Sequence, residues 1–492
     1  MPMDIRTQNQ VAMALDPAVT SYPAAGAGPF HPSENYPEYA GDVSSTPNPV
    51  YGMVRRVLAD LGLDRARFGT PGWNPVGDLV QPGARIVLKP NWVLHHNLGP
   101  GGTDCLVSHA SILRAVLDYV FLAQPREVVV GDAPIQDCDF ETLMNMGARQ
   151  VVDCLAKRGL PVRIADFRRT TLREEADAVT VRENLRPLEQ YVTVDLGTHS
   201  MLEPIAGDAS RFRVTKYDPR RMLENQRPGV HRYLIAKDVL DADLVINLPK
   251  LKTHKKAGIT AALKNLVGIN GNKDYLPHHR KGAAAAGDNY EKWSMLKFCV
   301  EQVLDFANRH LDHPRFYSVC NRLVYYLLVA NMKLGGDGDV EGGWYGNDTV
   351  WRMCLDLNRV LLYSNRKGRL CEVPQRVVLS LADGIVAGEG DGPLKPDPRA
   401  MGIILGAYNP AAADWVSALL MGFLPERIPI VSNAFVLESY PLAAFAPDSI
   451  HCSLNGAPVN LTDLPGRYRC RLIPPRGWKT HLEQPSAAGN GR

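Results

Sequence analysis

The sequence predicts an α/β fold in which a mostly parallel sheet is flanked by helices. Short apolar runs of strand length alternate with stretches whose apolar residues recur at helical spacing. This alternation is typical of strand–helix–strand crossovers, which place neighbouring strands parallel to one another. The 492-residue chain is 45% hydrophobic and 22% charged, so its composition is that of a globular protein able to bury a large core.

Each predicted strand is a run rich in Val, Ile or Leu that ends near Pro, Gly or Asp, as in Arg85-Ile-Val-Leu-Lys-Pro. The strands are predicted at 85–90, 126–132, 161–165, 242–249, 375–384 and 401–407. Each predicted helix has one apolar face, as with Ile112, Val116 and Val120. The helices are predicted at 50–63, 108–122, 140–158, 260–267, 291–309, 348–363 and 410–421.

The order of these elements divides the chain into five parts. The amino-terminal part mixes Pro, Gly and Ala without periodicity, which predicts a poorly ordered arm, and the residues from Pro474 onward have the same character. The predicted parts are an arm at 1–49, a first α/β portion at 50–170, a strand-rich insertion at 171–235, a second α/β portion at 236–430 that includes a helical insertion at 285–370, and carboxy-terminal strands with a tail at 431–492.

Charge and composition exclude several classes of protein. Lys plus Arg number 55 and Asp plus Glu 52, and the net charge of +3 gives no reason to expect nucleic-acid or anionic-membrane binding. No run of about 18 apolar residues and no secretory leader is present, so we expect no membrane partner and a cytoplasmic location. The nine cysteines include no Cys-x-x-Cys pair, so no iron–sulfur motif lies within the chain. The oligomeric state cannot be read from these features.

A basic segment follows the predicted strand at 242–249. Lys250, Lys252 and His254 alternate, so they are expected to point the same way in an extended chain. Lysine ammonium groups at a strand end suit a phosphate or carboxylate, and a histidine titrates near neutral pH. We therefore interpret the two lysines as substrate-binding and His254 as a catalytic acid or base. A solvated basic loop is the simpler alternative, and RNA binding is disfavoured because aromatic platforms are absent.

The helix predicted after this segment extends the same interpretation. Thr260 and Lys264 are four residues apart and share one helical face, and Asn265 follows them. Gly258 allows a close approach of the backbone, and a helix that begins near residue 260 favours an anion at its amino end. Thr260 and Asn265 are thus predicted to bind substrate, and Lys264 is predicted to be catalytic.

Acidic residues are predicted to hold a divalent ion near this pocket. Asp383 follows a strand and, with Glu389, belongs to a glycine-rich loop, and Asp132 ends another strand. Carboxylates of this kind can hold Mg²⁺, which usually works beside a phosphate. Asn91, also at a strand end, is predicted to bind substrate. The alternative for all four is that they are turn and cap residues.

Two further motifs contain residues that can bind a metal or a substrate. The glycine-rich stretch 335–348 partly matches a calcium loop, but its twelfth residue is Asp348 and its interior holds the bulky Trp344. We interpret it instead as a substrate loop in which Asn347 binds substrate or caps the following helix. The adjacent His95 and His96 are disfavoured as a shared metal site because neighbouring side chains diverge.

Four blocks of this sequence, in the expected order, resemble the signature of the domain of unknown function 362 family. They are Leu88-Lys-Pro-Asn-Trp, Val129-Val-Gly-Asp-Ala-Pro, the segment 247–268, and Asp383-Gly-Ile-Val-Ala-Gly-Glu-Gly-Asp-Gly-Pro followed by Leu405-Gly-Ala-Tyr-Asn-Pro-Ala-Ala-Ala-Asp-Trp-Val. The family is defined without an agreed activity, and some members carry ferredoxin-like iron–sulfur domains. This chain lacks their cysteine run and looks like a long member with added helical material.

These features lead to a functional hypothesis with two alternatives. The first hypothesis is a cytoplasmic enzyme that performs metal-assisted acid–base chemistry on an anionic small molecule. The alternatives are a non-catalytic anion-binding or carrier protein and a redox protein with a partner-supplied iron–sulfur cluster. The strand ends at Asn91, Asp132, Asn247 and Asp383 are expected to converge on one cleft, because parallel strands end at the same edge of a sheet.

Overall fold

The computed structural model describes residues 3–25, 29–175, 178–183, 186–311, 313–467 and 470–482. Eighteen strands lie within these residues. They are β1 (Gln10–Leu15), β2 (Arg85–Pro90), β3 (Glu127–Asp132), β4 (Val162–Asp166), β5 (Thr170–Glu175), β6 (Ala178–Glu183), β7 (Tyr191–Asp195), β8 (Phe212–Arg213), β9 (Gln226–Arg227), β10 (Val230–Ala236), β11 (Leu244–Leu248), β12 (Lys250–His254), β13 (Gly258–Thr260), β14 (His279–Arg280), β15 (Val377–Glu389), β16 (Asp397–Ala407), β17 (His451–Leu454) and β18 (Ala457–Val459).

Thirteen α-helices lie within the same described residues, joined in places by short 3₁₀ turns. They are α1 (Pro49–Asp60), α2 (Ala110–Leu122), α3 (Phe140–Met144), α4 (Ala148–Lys157), α5 (Pro219–Asn225), α6 (Lys237–Asp241), α7 (Ala262–Asn265), α8 (Met295–Asn308), α9 (Pro314–Lys333), α10 (Val350–Tyr363), α11 (Pro410–Leu420), α12 (Pro429–Ser432) and α13 (Leu464–Arg467). No described helix is both long enough and apolar enough to cross a membrane.

The predicted α/β fold is confirmed by one large mixed sheet of eleven strands. The main path runs β18-β17-β1-β16-β15-β11-β2-β3-β4, and β12 and β13 extend from β15. The five adjacent strands β15, β11, β2, β3 and β4 are parallel to one another. β16 is antiparallel to both β15 and β1. Every residue of β11 and β15 is buried, which indicates that both faces of the sheet are covered at its centre.

The amino-terminal segment is not the poorly ordered arm that its composition predicts. β1 lies inside the sheet, where Val11 pairs antiparallel with Ala407 of β16 and parallel with Cys452 of β17. Its apolar run is short, but pairing on both edges satisfies its backbone and buries four of its six residues. Tyr22, further along the segment, reaches the centre of the molecule through a hydrogen bond to Asp383.

The carboxy-terminal residues up to 482 are also anchored rather than loose. Trp478 is 1% exposed, and its indole N–H donates to the backbone oxygen of Lys255 at 2.7 Å. The remaining residues of the predicted tail, 483–492, lie outside the described residues. A buried tryptophan with a satisfied N–H therefore anchors the end of the described chain beside the basic segment.

The insertion after β4 contains the predicted strands but no part of the main sheet. β5 and β6 form a hairpin, β7, β10 and β9 form a small antiparallel sheet, and β8 pairs with β14. The helical insertion contains one more helix than was predicted, because α9 was missed between α8 and α10. The division of the chain into five parts remains a prediction.

Candidate functional site

A cleft of about 1690 Å³ extends from the amino ends of β2 and β3, at Arg85 and Glu127, to their carboxyl ends and the basic segment. Seven of the residues predicted to form the site line this cleft, and all come from strand ends or from the β12–α7 region. They are Asn91, Asp132, Lys252, His254, Thr260, Lys264 and Asn265. The prediction that distant strand ends meet in one cleft is therefore supported for β2, β3 and the segment after β11.

Cations dominate the part of the cleft around α7. The ammonium groups of Lys256, Lys264 and Lys273 line it, and within the described residues they make no hydrogen bond or ion pair. Burial lowers the pKa of Lys256 to about 8 and that of Lys273 to about 8. The charge of Glu341 opposes this shift at Lys256, and the charge of Lys264 adds to it at both lysines. Cations that lack partners and repel one another form a site prepared for an anion.

The cleft floor is an ordered polar network that fixes Asp132. Its Oδ1 pairs with Lys89 Nζ at 2.8 Å, and its Oδ2 accepts the backbone N–H of Trp92 at 2.7 Å. Burial raises the pKa of Asp132 and lowers the pKa of Lys89, and their mutual charge opposes both effects. With both oxygens engaged, Asp132 acts as a structural partner of Lys89 rather than as a free ligand.

Asn265 connects this floor to the neighbouring strand ends. Its Oδ1 accepts hydrogen bonds from Lys89 Nζ at 3.1 Å and from Asn91 Nδ2 at 2.8 Å, and its Nδ2 donates to Asn247 Oδ1 at 2.8 Å. By contrast, Asn91 Oδ1 and Thr260 Oγ1 are buried without a hydrogen-bond partner among the described residues. These two unpartnered oxygens line the cleft and are available to a ligand.

His254 lies in the cleft, but its geometry does not suit a general base. Its Nδ1 accepts the backbone N–H groups of Lys256 at 3.0 Å and Ala257 at 3.2 Å, which assigns the proton to Nε2. Burial, reinforced first by the charge of Lys264, holds the pKa of His254 well below its usual value. The imidazole is therefore neutral and presents an N–H donor to the cleft.

His278 is a cleft residue that sequence reasoning missed. Its Nδ1 lies 2.8 Å from the backbone oxygen of Leu276, so the proton resides on Nδ1 and the lone pair on Nε2. Burial, with the charges of Lys256 and Lys264, keeps the pKa of His278 well below its usual value. The cation-rich stretch 250–281 was the available signal for His278, Lys273 and Lys256, but spacing could not tell which of its side chains turn inward.

Lys250 and Asp383 lie away from the cleft in a buried ion pair. Lys250 Nζ is 2.7 Å from Asp383 Oδ2, both side chains are fully buried, and Tyr22 donates to Asp383 Oδ1 at 2.5 Å. The register of β12 against β15 shifts between Lys250 and Lys252. This irregularity explains why the two lysines do not share one environment although they alternate in sequence.

The other predicted contacts also have structural partners. Glu389 accepts the backbone N–H of Ile473 at 2.9 Å. Asn347 caps α10 by accepting from the N–H groups of Thr349 and Val350, and its Nδ2 donates to the backbone oxygen of His278 at 2.9 Å. Asn347 thus supports a cleft residue instead of lining the cleft.

The described residues contain no cluster of three or more His, Cys, Asp or Glu side chains that could hold a metal ion. Asp132, Asp383 and Glu389, predicted to share an ion, bind separate partners. In the stretch that partly resembled a calcium loop, Asp337 pairs with Lys297. All nine cysteines are free thiols, and the prediction of a partner-supplied iron–sulfur cluster stays untested.

The fold and cleft define an α/β protein with a buried basic pocket at the carboxyl ends of parallel strands. Residues 179–418 match the family model described as Domain of unknown function (DUF362). This match agrees with the family resemblance seen in the sequence. The match contains the basic segment and the acidic glycine-rich stretch 383–393, which begins within β15, whereas the first two of the signature blocks lie before it.

Two known proteins show similarity to this chain. A thylakoid-associated protein of Synechocystis sp. is 24% identical over 216 residues, which are 43% of this chain and 42% of that protein. The aligned region therefore spans less than half of the relative's length. A crystal structure of a protein from Thermotoga maritima aligns with 75% of this chain and 58% of its own, at 12% identity and a TM-score of 0.33.

Proposed function

We propose that the cleft binds a small molecule that carries phosphate or carboxylate groups. The observation that carries this proposal is the set of three ammonium groups, on Lys256, Lys264 and Lys273, that line the cleft without a counterion among the described residues. Keeping like charges together in a partly desolvated space is unfavourable. An anion would neutralise them and form charge-assisted hydrogen bonds, which are stronger than neutral ones.

We further propose that the protein is a cytoplasmic enzyme acting on this anion. The lysine ammonium groups would stabilise negative charge that develops during the reaction. His278 Nε2, whose lone pair is free of the Leu276 contact, would accept a proton, and the Nε2–H of His254 would donate a hydrogen bond. Mg²⁺ would enter with a phosphate-bearing ligand, since Asp132, Asp383 and Glu389, the carboxylates predicted to hold it, bind other partners.

A non-catalytic anion-binding or carrier protein is the second candidate. It is favoured by the low pKa of His254 and His278, because both rings are weak bases in the empty cleft. Incubation with pyrophosphate or an aryl phosphate distinguishes the candidates. Release of orthophosphate that is lost in His278→Asn supports the enzyme, and tight binding without turnover supports the carrier.

The binding proposal is tested by calorimetric titration of pyrophosphate and, separately, citrate. Lys264→Met should lower the affinity at least about tenfold, because it removes a central charge of the cluster. Its thermal transition should stay the same or rise, since Lys264 repels its neighbours in the empty cleft. Lys157→Met, at an exposed lysine of α4, is the matched control. Equal affinities in the two variants, or a large loss of stability in Lys264→Met, would contradict the proposal.

The same titration has a pH dependence that follows from the lowered pKa values. Lys256 and Lys273 are protonated below pH 8 and lose their charge above it, so affinity should fall as the pH rises through about 8. In Lys256→Met the affinity at neutral pH should be lower and its decline with pH shallower. An affinity that is constant across this range would exclude both lysines from the binding site.

A further inference from the structure

The helix pair α8–α9 exposes the largest concentration of apolar side chains in the described chain. Twenty large hydrophobic residues are exposed among all the described residues, and eleven of them lie between residues 293 and 334. They are Trp293, Met295, Phe298, Phe306, Phe316, Val319, Leu323, Tyr325, Tyr326, Met332 and Leu334. Surface apolar residues scattered singly are ordinary, but eleven of them on and beside one helix pair mark an interaction surface.

Cations outnumber acids on this surface. Between residues 293 and 334, the exposed charged side chains that the structure describes are the four cations Arg309, Arg315, Arg322 and Lys333, and the exposed acids Glu291, Asp337 and Asp339 lie just outside this stretch. The two acidic residues described in this stretch are buried and engaged. Glu301 accepts the N–H of Gly282 at 2.7 Å, and Asp305 pairs with Arg213 and Lys281. The net charge of +3 for the whole chain conceals this local asymmetry.

We propose that the α8–α9 surface binds peripherally to an anionic lipid bilayer. Exposed apolar side chains, aromatic residues suited to the headgroup region and a local excess of cations form the combination that such binding requires. Trp293, Tyr325 and Tyr326, all more than 60% exposed, would lie at the lipid–water boundary. The proposal concerns surface attachment, because no described helix could span a membrane.

The other occupants fit this surface less well. A second copy of the chain would bring four cations against four, which is unfavourable in a symmetric contact. The last ten residues, Glu483–Arg492, contain no large apolar side chain in their sequence, so they are poorly suited to cover the face. This surface is separate from the anion cleft, and the proposal goes beyond the proposed function.

The experiment is co-flotation of the full-length protein with vesicles of phosphatidylcholine alone or with about 30% phosphatidylserine. We expect flotation with the anionic vesicles, weaker flotation with the neutral ones and a decrease at high salt. The double variant Arg315→Glu/Arg322→Glu should weaken binding to the anionic vesicles at least about tenfold, because each cation removed lowers the affinity roughly fivefold. Tyr325→Ser/Tyr326→Ser should also reduce it. Pyrophosphate affinity should remain unchanged in both double variants.

The control variants are Lys157→Glu, which reverses an exposed charge, and Val436→Ser, which removes an exposed apolar side chain outside the helix pair. Both should float like the wild type. Absence of flotation, or equal flotation of the α9 variants and the wild type, would overturn the proposal. A dimer in light scattering that Tyr325→Ser/Tyr326→Ser dissociates would replace the bilayer with a second copy as the occupant.

Discussion

Gly268 allows the cleft floor to close tightly. A Cβ atom at this position would lie 1.8 Å from Asp132 Oδ1 and 2.7 Å from Lys89 Cε. The absence of a side chain therefore lets the backbone after α7 approach the buried ion pair. Its carbonyl oxygen also accepts the N–H of Ala133 at 2.9 Å, which joins the two chain segments directly.

Gly268→Ala should destabilise the protein by about 1 to 3 kcal/mol, because the added methyl group must displace a buried ion pair. Denaturant unfolding measures the change. Gly207→Ala is the matched control, since a Cβ there would meet nothing within 4 Å, and it should alter stability by no more than about 0.5 kcal/mol. Equal stability of the two variants would show that the floor can relax around a side chain.

At the scale of elements, the short helix α7 depends on a carboxyl group from α11. Asp414 accepts the N–H of Ala262 at 2.5 Å through Oδ1 and the N–H of Leu263 at 3.1 Å through Oδ2. A four-residue helix has little stability of its own, so this cap is important for holding Lys264 in place. Complete burial raises the pKa of Asp414 to about 8, and the two N–H groups offset part of that rise.

A pH dependence of stability follows from Asp414. Between pH 3.8 and about 8 the folded protein holds a proton that the unfolded chain has released, so the contribution of Asp414 to stability falls as the pH rises. From about pH 5 to 7, the unfolding free energy of the wild type should decrease by about 1 to 2 kcal/mol relative to Asp414→Asn. Urea unfolding at both pH values tests this, and Asp153→Asn, at an exposed acid, should show no such trend. Equal trends in the wild type and Asp414→Asn would mean that Asp414 is ionised in the folded protein.

At the scale of the whole molecule, one buried network joins three distant parts of the chain. Tyr22 comes from the amino-terminal segment, Lys250 from the middle and Asp383 from the second half. Tyr22 also stacks on His109 at 4.0 Å between ring centroids. The network holds β12, β15 and α2 together beneath the cleft, so it contributes to architecture rather than to ligand binding.

Asp383→Asn should cost about 3 to 5 kcal/mol, because it leaves the fully buried Lys250 without its counterion. The double variant Lys250→Met/Asp383→Asn should be less destabilised than Asp383→Asn alone, because it removes the uncompensated charge. Asp391→Asn removes the partner of the largely exposed Arg476 and should cost no more than about 1 kcal/mol. Denaturant unfolding of the three variants provides the comparison, and a loss in Asp383→Asn as small as that in Asp391→Asn would refute the buried-charge argument.

The accuracy of the sequence predictions followed the strength of local patterns. β2 was predicted with its observed bounds, and α2 and α11 within two residues, because long apolar runs and regular helical faces are local signals. β1 was missed because its six residues are stabilised by neighbours about 400 residues away. α9 was missed because its apolar residues extend around the helix, as its exposed Leu323, Tyr325 and Tyr326 indicate.

The sequence by itself determined the fold class, the concentration of cations after β11 and the anionic chemistry that those cations suit. The tertiary structure decided which residues share the cleft. Lys252 and Lys264 line the cleft. Lys250 pairs with Asp383 instead, because the register of β12 against β15 shifts between Lys250 and Lys252. Side-chain direction depends on pairing with residues distant in the chain, and neither spacing nor composition encodes that register.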